Sequence, residues 1–354
     1  MNIKTQSVSW FLNHKKLALA CLAGAMMIIV WLCYPNEDIT ELNIPAEATS
    51  HIRSATPGEL LQIGIPNSDQ QIAMIFIPGG SYRFSHTKGK NKKYYQTEIT
   101  YPYWLGKYEI TQEVWEKVTG RTFIPKQEKH RPIATGAQYP MCQISYYECL
   151  DFCDRLTELA QQQGNLPKGY CFSLPTEAQW ELAYSCGEEI GPPWHLEERA
   201  WIDDGSPGTG AHPVGMKAPN AWGFHDMLGN IWELCSDFAS FDRLHGRNPV
   251  NWKTDDKNLT LDDRLRIVMT GSGWNTSMLY MFHEVVNNAN TGDFDIGFRV
   301  ALVPEEQHRL LKKRLKNLKP TSENMRHVRR VVRNVGQFFK WLRAYILKQE
   351  GGAP

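Results

Sequence analysis

The sequence predicts an α+β domain with its helices early and a turn-rich second half. An N-terminal transmembrane helix precedes it and a basic helical tail follows it. Three observations carry this. Residues 109–187 hold three helical segments with their own capping residues. The next stretch, about 120 residues, shows little helical periodicity and many glycine turns. One apolar run lies near the start, and one basic amphipathic run near the end.

The apolar run is "LALACLAGAMMIIVWLCY", Leu17–Tyr34, 18 residues without a charge, long enough for a bilayer core. Lys4, Lys15 and Lys16 precede it; Glu37, Asp38 and Glu41 follow. The positive-inside tendency keeps residues 1–16 in the cytoplasm and exports the rest. The expectation is an uncleaved single-pass anchor, residues 17–34, in the inner membrane, with the domain in the periplasm or outside the cell. A cleaved signal peptide is the rival reading. Its apolar core would be long, and no A-x-A-like site follows directly.

Residues 35–70 are polar, contain prolines and lack clear periodicity, so they read as a linker. "IAMIFIPGGSYRFS" opens the domain, 71–304, as strand, Pro-Gly-Gly turn and strand. In "YEITQEVWEKVTG", Thr111 caps a helix, Gly120 closes it, and Trp115 and Val118 face inward. In "ISYYECLDFCDRL", Ser145 and Glu148 form a capping box. Cys149, Phe152, Cys153 and Leu156 then fall at i, i+3, i+4 and i+7, one apolar face. That spacing explains the C-x-x-x-C pair by packing, and no second Cys/His pair completes a zinc site. "LPTEAQWELAYSCG" repeats the pattern, with Thr176 and Gln179 as capping box and Trp180 and Ala183 inward. Six cysteines lie outside the anchor: Cys142, Cys149, Cys153, Cys171, Cys186 and Cys235. In an exported domain cysteines can pair, and the spacing leaves any connectivity open.

The net charge of +1 hides an asymmetry. Residues 305–354 hold 13 Lys/Arg against 4 Asp/Glu, a net of +9, which leaves −8 for the remainder. In this tail Val331, Val335, Phe338, Leu342 and Ile346 recur at helical spacing between basic residues. Such a segment suits an anionic membrane surface, a partner, or packing on its own domain. An exported location argues against nucleic acid as a partner.

A series of motifs in fixed order goes further: "FIPGG", "YEITQEVWEKVTG", "LPTEAQWELAYSCG", "HPVG", "PNAWGFHDMLGNIWELCSDF", "GSGW" and "DIGFRVAL". Over residues 71–304 the chain resembles the formylglycine-generating enzyme (sulfatase-modifying factor) family. The resemblance implies that family's single domain, poor in regular secondary structure and related to C-type lectins. It also implies copper- and O₂-dependent oxidation of a sulfatase cysteine, which needs two cysteines shortly after a "GGSW"-type turn. Here the turn is Gly271-Ser272-Gly273-Trp274, and the last cysteine of the chain is Cys235. Thiolates are the natural ligands of Cu(I), so copper is not expected. Met278 and Met281 are thioethers and read as packing. Other departures agree. Thr270 stands where the family usually has Arg before the turn, and Ser173 where Arg commonly precedes "LPTE". Arg299 of "GFR" is kept.

Calcium is the milder carry-over. In "DMLGNIWE", Asp226, Asn230 and Glu233 offer hard oxygen ligands at a turn that binds calcium in the family. The plain alternative is a structural turn held by Asn230. The function expected first is a non-catalytic module that binds a protein or glycan partner in a bacterial envelope. Its candidate binding residues are Trp274, Asn275, Thr276, Tyr280, His283, Asn287, Asn288 and Arg299. The alternative is a divergent oxidase or protein-modifying enzyme of the same family working from another site.

Overall fold

Within residues 41–318, this computed structural model describes all but 51, 53–55, 89–90, 127–132, 191–195, 203–209, 240–243, 253–264, 277–283 and 287–288. The predicted anchor and most of the basic tail therefore lie outside the described residues. Among those described, no helix is long and apolar enough to cross a membrane. Residues 38–311 form one compact unit. Residues 1–37 and 312–354 group separately, and of these only 312–318 are described.

Among the described residues, thirteen strands make three small sheets around one central helix. The strands are β1 (Leu60–Gly64), β2 (Gln71–Ile77), β3 (Gly80–Lys88), β4 (Asn91–Ile99), β5 (Tyr103–Gly106), β6 (Tyr170–Ser173), β7 (Glu189–Ile190), β8 (Trp232–Phe238), β9 (Gly246–Arg247), β10 (Ile267–Thr270), β11 (Glu284–Val286), β12 (Ile296–Gly297) and β13 (Ala301–Pro304). The largest sheet runs β1-β2-β5-β13-β6, antiparallel throughout. The last strand of the domain thus closes between two early ones, Ala301 opposite Leu105 and Ser173. The second sheet, β11-β10-β8-β12, carries the "GNIWEL" strand at its centre. The third is the long β3–β4 hairpin flanked by β7 and β9.

The helices start and stop where side-chain chemistry dictates. In α1 (Gln112–Thr119) the Thr111 hydroxyl accepts from the Val114 N–H, and Gly120 ends the helix at φ 69°. In α2 (Tyr146–Gln162) and α3 (Glu177–Ser185) both predicted capping boxes form, Ser145 with Glu148 and Thr176 with Gln179. α1 and α2 meet through Trp115 and Phe152, stacked with ring centroids 5.4 Å apart, and Phe298 stands edge-on to both. Cys149, Phe152, Cys153 and Leu156 are buried as their spacing requires.

α3 differs from its amphipathic reading. Every residue from Glu177 to Ala183 is buried, because the helix lies at the centre of the main core with Tyr103, Phe224, Val268 and Val303. Its polar side chains are kept there by specific bonds. Tyr82 donates to Glu181 at 2.6 Å, and Gln179 exchanges amide bonds with Gln307 at 3.0 and 3.1 Å.

Both predicted edges of the domain shift. Residues 60–64, read as linker, form β1, and Leu42, Ile63 and Ile65 are buried. The polarity of the surrounding residues hid a short edge strand. At the other end, α4 (Glu305–Leu318) begins where the tail was drawn, and its first turn is part of the domain. Gln307 joins Gln179 and Tyr101, while His308 lies 3.0 Å from the Ser173 hydroxyl and 2.8 Å from Asp154. Ser173, small where the resemblance leads one to expect arginine, leaves that imidazole its place.

Cys142, Cys149, Cys171, Cys186 and Cys235 are thiols. Burial raises all of them, Cys142 and Cys171 to about 12. A thiol held protonated is a poor nucleophile.

Candidate functional site

The turn after β10 is built from residues that only this geometry accommodates. Gly271 has φ 93° and Gly273 has none to spare in space: a Cβ there would fall 2.7 Å from Asp295 Oδ2 and 3.0 Å from the Trp232 ring. Between them Ser272 adopts φ 73°, the left-handed region that costs a side chain about 1 kcal/mol or more. Its hydroxyl oxygen accepts from the Gly229 N–H at 3.0 Å, and the Gly271 carbonyl accepts from the same N–H at 2.9 Å. The Trp274 N–H donates to the Asn230 carbonyl at 2.8 Å. Two turns distant in sequence, 271–274 and 226–231, are thereby locked together.

Trp274 is half-buried and leans on a satellite apolar cluster of Ile133, Cys142 and Phe294, with Phe123 at its margin. Its ring meets Phe294 edge-on at 5.8 Å. The indole Nε1 is buried without a hydrogen-bond acceptor among the described residues. Beside Phe123, Ile124 is 81% exposed, the most exposed of the large described hydrophobic residues. Asn275 is exposed, and Thr276 folds back, its hydroxyl accepting from the Gly273 N–H at 3.1 Å. Of the predicted binding residues, Trp274, Asn275 and Thr276 therefore share one loop. Tyr280, His283, Asn287 and Asn288 lie outside the described residues.

Arg299 belongs elsewhere, which corrects its reading as a binding residue. It is fully buried beneath the turn. Its Nε and Nη2 donate to the two Glu233 oxygens at 2.6 Å each, and its remaining N–H groups reach the carbonyls of Gly106 at 3.0 Å and His225 at 3.0 Å. Burial works against its charge, and the Glu233 carboxylate outweighs that, so the guanidinium stays protonated. Trp180 Nε1 adds a third bond to Glu233 at 2.9 Å. A neutral side chain could not collect four carbonyl and carboxylate partners at once.

The same network takes up the expected calcium ligands. Both Glu233 oxygens are spent on Arg299 and Trp180. The Asn230 side-chain oxygen accepts from the His212 N–H at 2.8 Å, and its amide donates to Glu109 at 2.6 Å. Asp226 Oδ2 accepts from the Gly215 N–H at 2.7 Å, which leaves Oδ1 buried without a hydrogen-bond partner. Asp226 and Asn230 both sit at positive φ, 53° and 62°, a conformation these two side chains tolerate. With donors aimed at different partners, the three residues fit a buried ion-pair network and not an oxygen cage around a cation.

Glu109 is the member of this network that sequence reasoning missed. The signal available was one carboxylate in the otherwise helix-starting stretch "YEIT". Burial, then the charges of Asp226 and Glu233, push its carboxyl well above the usual carboxylate range, against the pull of Arg299 and the Asn230 bond. Burial raises Asp226 too. A carboxyl raised by folding binds more protons folded than unfolded, so it costs stability as pH rises through the unfolded value near 4.3 toward the folded one. Glu109→Gln is therefore expected to remove that slope. Between pH 5 and 7, wild-type melting temperature should fall with rising pH relative to the variant's; parallel curves would contradict the assignment.

The comparisons agree with this architecture. The family model described as "Sulfatase-modifying factor enzyme 1-like domain" matches residues 65–303. A formylglycine-generating enzyme of Thermomonospora curvata is 38% identical over 85 residues, 20% of this chain and 28% of that protein, so the match spans under a third of its length. A protein named chaperone LppX, from Paenibacillus barcinonensis, is 24% identical over 254 residues, 58% of this chain and 79% of its own. Among solved structures, PvdO from Pseudomonas aeruginosa superposes with a TM-score of 0.54 at 18% identity, over 70% of this chain and 99% of PvdO. At that identity the likeness concerns the fold.

Proposed function

We infer, from a chain that belongs to the sulfatase-modifying factor enzyme 1-like family, that this protein is a non-catalytic binding module of a bacterial envelope. One observation carries the reading: no cysteine follows Cys235, so the segment after the 271–274 turn has no thiolate to hold copper. Burial also raises the thiols of Cys142, Cys149, Cys171 and Cys235, which makes them poor nucleophiles. The likeness to a protein named as a chaperone supports an accessory role. Residues 17–34 anchor the chain in the inner membrane, with the domain in the periplasm. The surface around Trp274, Asn275 and Thr276, with Tyr280, His283, Asn287 and Asn288 on the adjoining segment, recognises a protein or glycan. The half-buried Trp274, in one apolar cluster with Phe123, is the kind of aromatic anchor that dominates recognition surfaces.

Pull-down from envelope extracts with the full chain tests this. Wild type is expected to retain a specific protein or glycan that Trp274→Ala and Asn275→Ala lose, the first by 10-fold or more on an anchor costing roughly 2 kcal/mol. Circular dichroism keeps unfolding apart from lost recognition. Retention of the same partner by folded Trp274→Ala would overturn the assignment of this surface.

A further inference from the structure

We propose that Lys107, Tyr108 and His225 form a binding site for the hexuronic acid residues of an acidic glycan. This site is separate from the Trp274 surface and does not depend on the anchor. Lys107 and Tyr108 directly follow β5, and His225 opens the turn that leads into β8. Backbone bonds join the two segments. The Lys107 carbonyl accepts from the His225 N–H at 3.1 Å and from Arg299 Nη1 at 3.3 Å, and the His225 carbonyl accepts from Arg299 Nη2 at 3.0 Å. The site is thus mounted on the buried Arg299 network. The Tyr108 and His225 rings lie 5.0 Å apart, tilted by 35°, and Lys107 Nζ lies 5.2 Å from the Tyr108 ring centroid. A third segment holds both rings in place. Gly215, at φ 78°, lies so close to Tyr108 that a Cβ would fall 2.7 Å from its ring. Two residues on, the Lys217 carbonyl accepts from His225 Nδ1 at 2.8 Å. The Lys217 ammonium in turn sits 4.1 Å from the centroid of Trp201, which stacks on His212 and so ties this loop down.

The donors and acceptors left over select the ligand. Among the described residues, the Lys107 ammonium has the Tyr108 ring as its partner and no carboxylate. The Tyr108 hydroxyl and His225 Nε2 are bonded to no described residue. Because Nδ1 donates to a carbonyl, the neutral imidazole presents Nε2 as an acceptor. Burial, aided by the charges of Lys107 and Arg299, lowers its pKa against the pull of the Lys217 bond and Asp226, so the ring is neutral at pH 7. A sulfate or a phosphodiester offers acceptors alone, and would set its oxygens against the Nε2 lone pair. A carboxylate with hydroxyls close by satisfies all three groups: the carboxylate takes the ammonium, one hydroxyl donates to Nε2, and another exchanges with the Tyr108 hydroxyl. A hexuronic acid carries both functions on one ring. The three side chains are half-buried and form an open face, which admits a ligand that continues to either side as a polysaccharide does.

Isothermal titration calorimetry of the full chain with trigalacturonate tests this. Binding is expected, and the neutral counterpart galactotriose should bind about 10-fold more weakly or worse, because the charge-assisted bond to Lys107 is lost. Lys107→Gln should weaken trigalacturonate by about 10-fold and Tyr108→Phe by roughly fivefold. Neither of these side chains is hydrogen-bonded to a described residue, so both variants should stay folded, which circular dichroism checks. Sulfate in excess should not displace the trisaccharide. No heat of binding at millimolar trigalacturonate, equal affinity for galactotriose, displacement by sulfate, or unchanged affinity in folded Lys107→Gln would each overturn the proposal.

Discussion

Arg299→Leu is expected to unfold the domain or to lower its melting temperature by roughly 6–20 °C. The substitution leaves Glu233 buried with its charge uncompensated, and strips the carbonyls of Gly106 and His225 of their donor. Breaking a buried pair by removing one partner costs about 3–5 kcal/mol, and each kcal/mol shifts the midpoint of a domain this size by about 2–4 °C. Arg299→Lys keeps the charge but cannot make the bidentate bond, and should fall in between. Thermal unfolding followed by circular dichroism decides it. A drop of a degree or two for the leucine variant would mean that the network is not holding the turn.

Gly229→Ala is the second large effect, expected at about 2–4 kcal/mol. The residue has φ 76°, and a Cβ would fall 2.2 Å from the Trp201 carbonyl oxygen and 2.6 Å from the Trp201 nitrogen. Both neighbours are backbone, so no side chain can swing away. Left-handed strain and overpacking add. The Gly229 N–H also ties this turn to Gly271 and Ser272, so the variant should loosen the Trp274 loop as well. Urea denaturation measures the first consequence, and faster amide exchange at Trp274 the second. A Gly229→Ala protein with unchanged urea midpoint would contradict the close approach.

Local chemistry was legible in the sequence wherever it is local. The Ser145/Glu148 and Thr176/Gln179 boxes and the cap at Thr111 are contacts three residues long, and each forms. The Cys149–Leu156 face follows from helical period alone. What was hidden is what depends on distant segments. α3 is buried on all sides because three sheets meet on it, and its polar residues give no sign of partners as far off as Tyr82 and Gln307. Arg299, which the sequence offers as a ligand contact, is instead the counter-ion of Glu233, 66 positions earlier. Glu109 shows its role only once the chain has brought it to Asn230 and Ile231. The β1 edge strand was masked by its polar flanks, although Ile63 and Ile65 already alternate.

Together these features describe a domain of this family in which no cysteine follows Cys235. Glycine turns and the Trp180–Glu233–Arg299 network support the loop at Trp274, whose proposed role is recognition. The most direct test is copper titration of the purified full chain, followed by incubation with O₂ and a cysteine-containing sulfatase peptide. A non-catalytic module is expected to show no stoichiometric Cu(I) binding and no peptide aldehyde by mass spectrometry. One copper bound per chain, or formylglycine in the peptide, would contradict it.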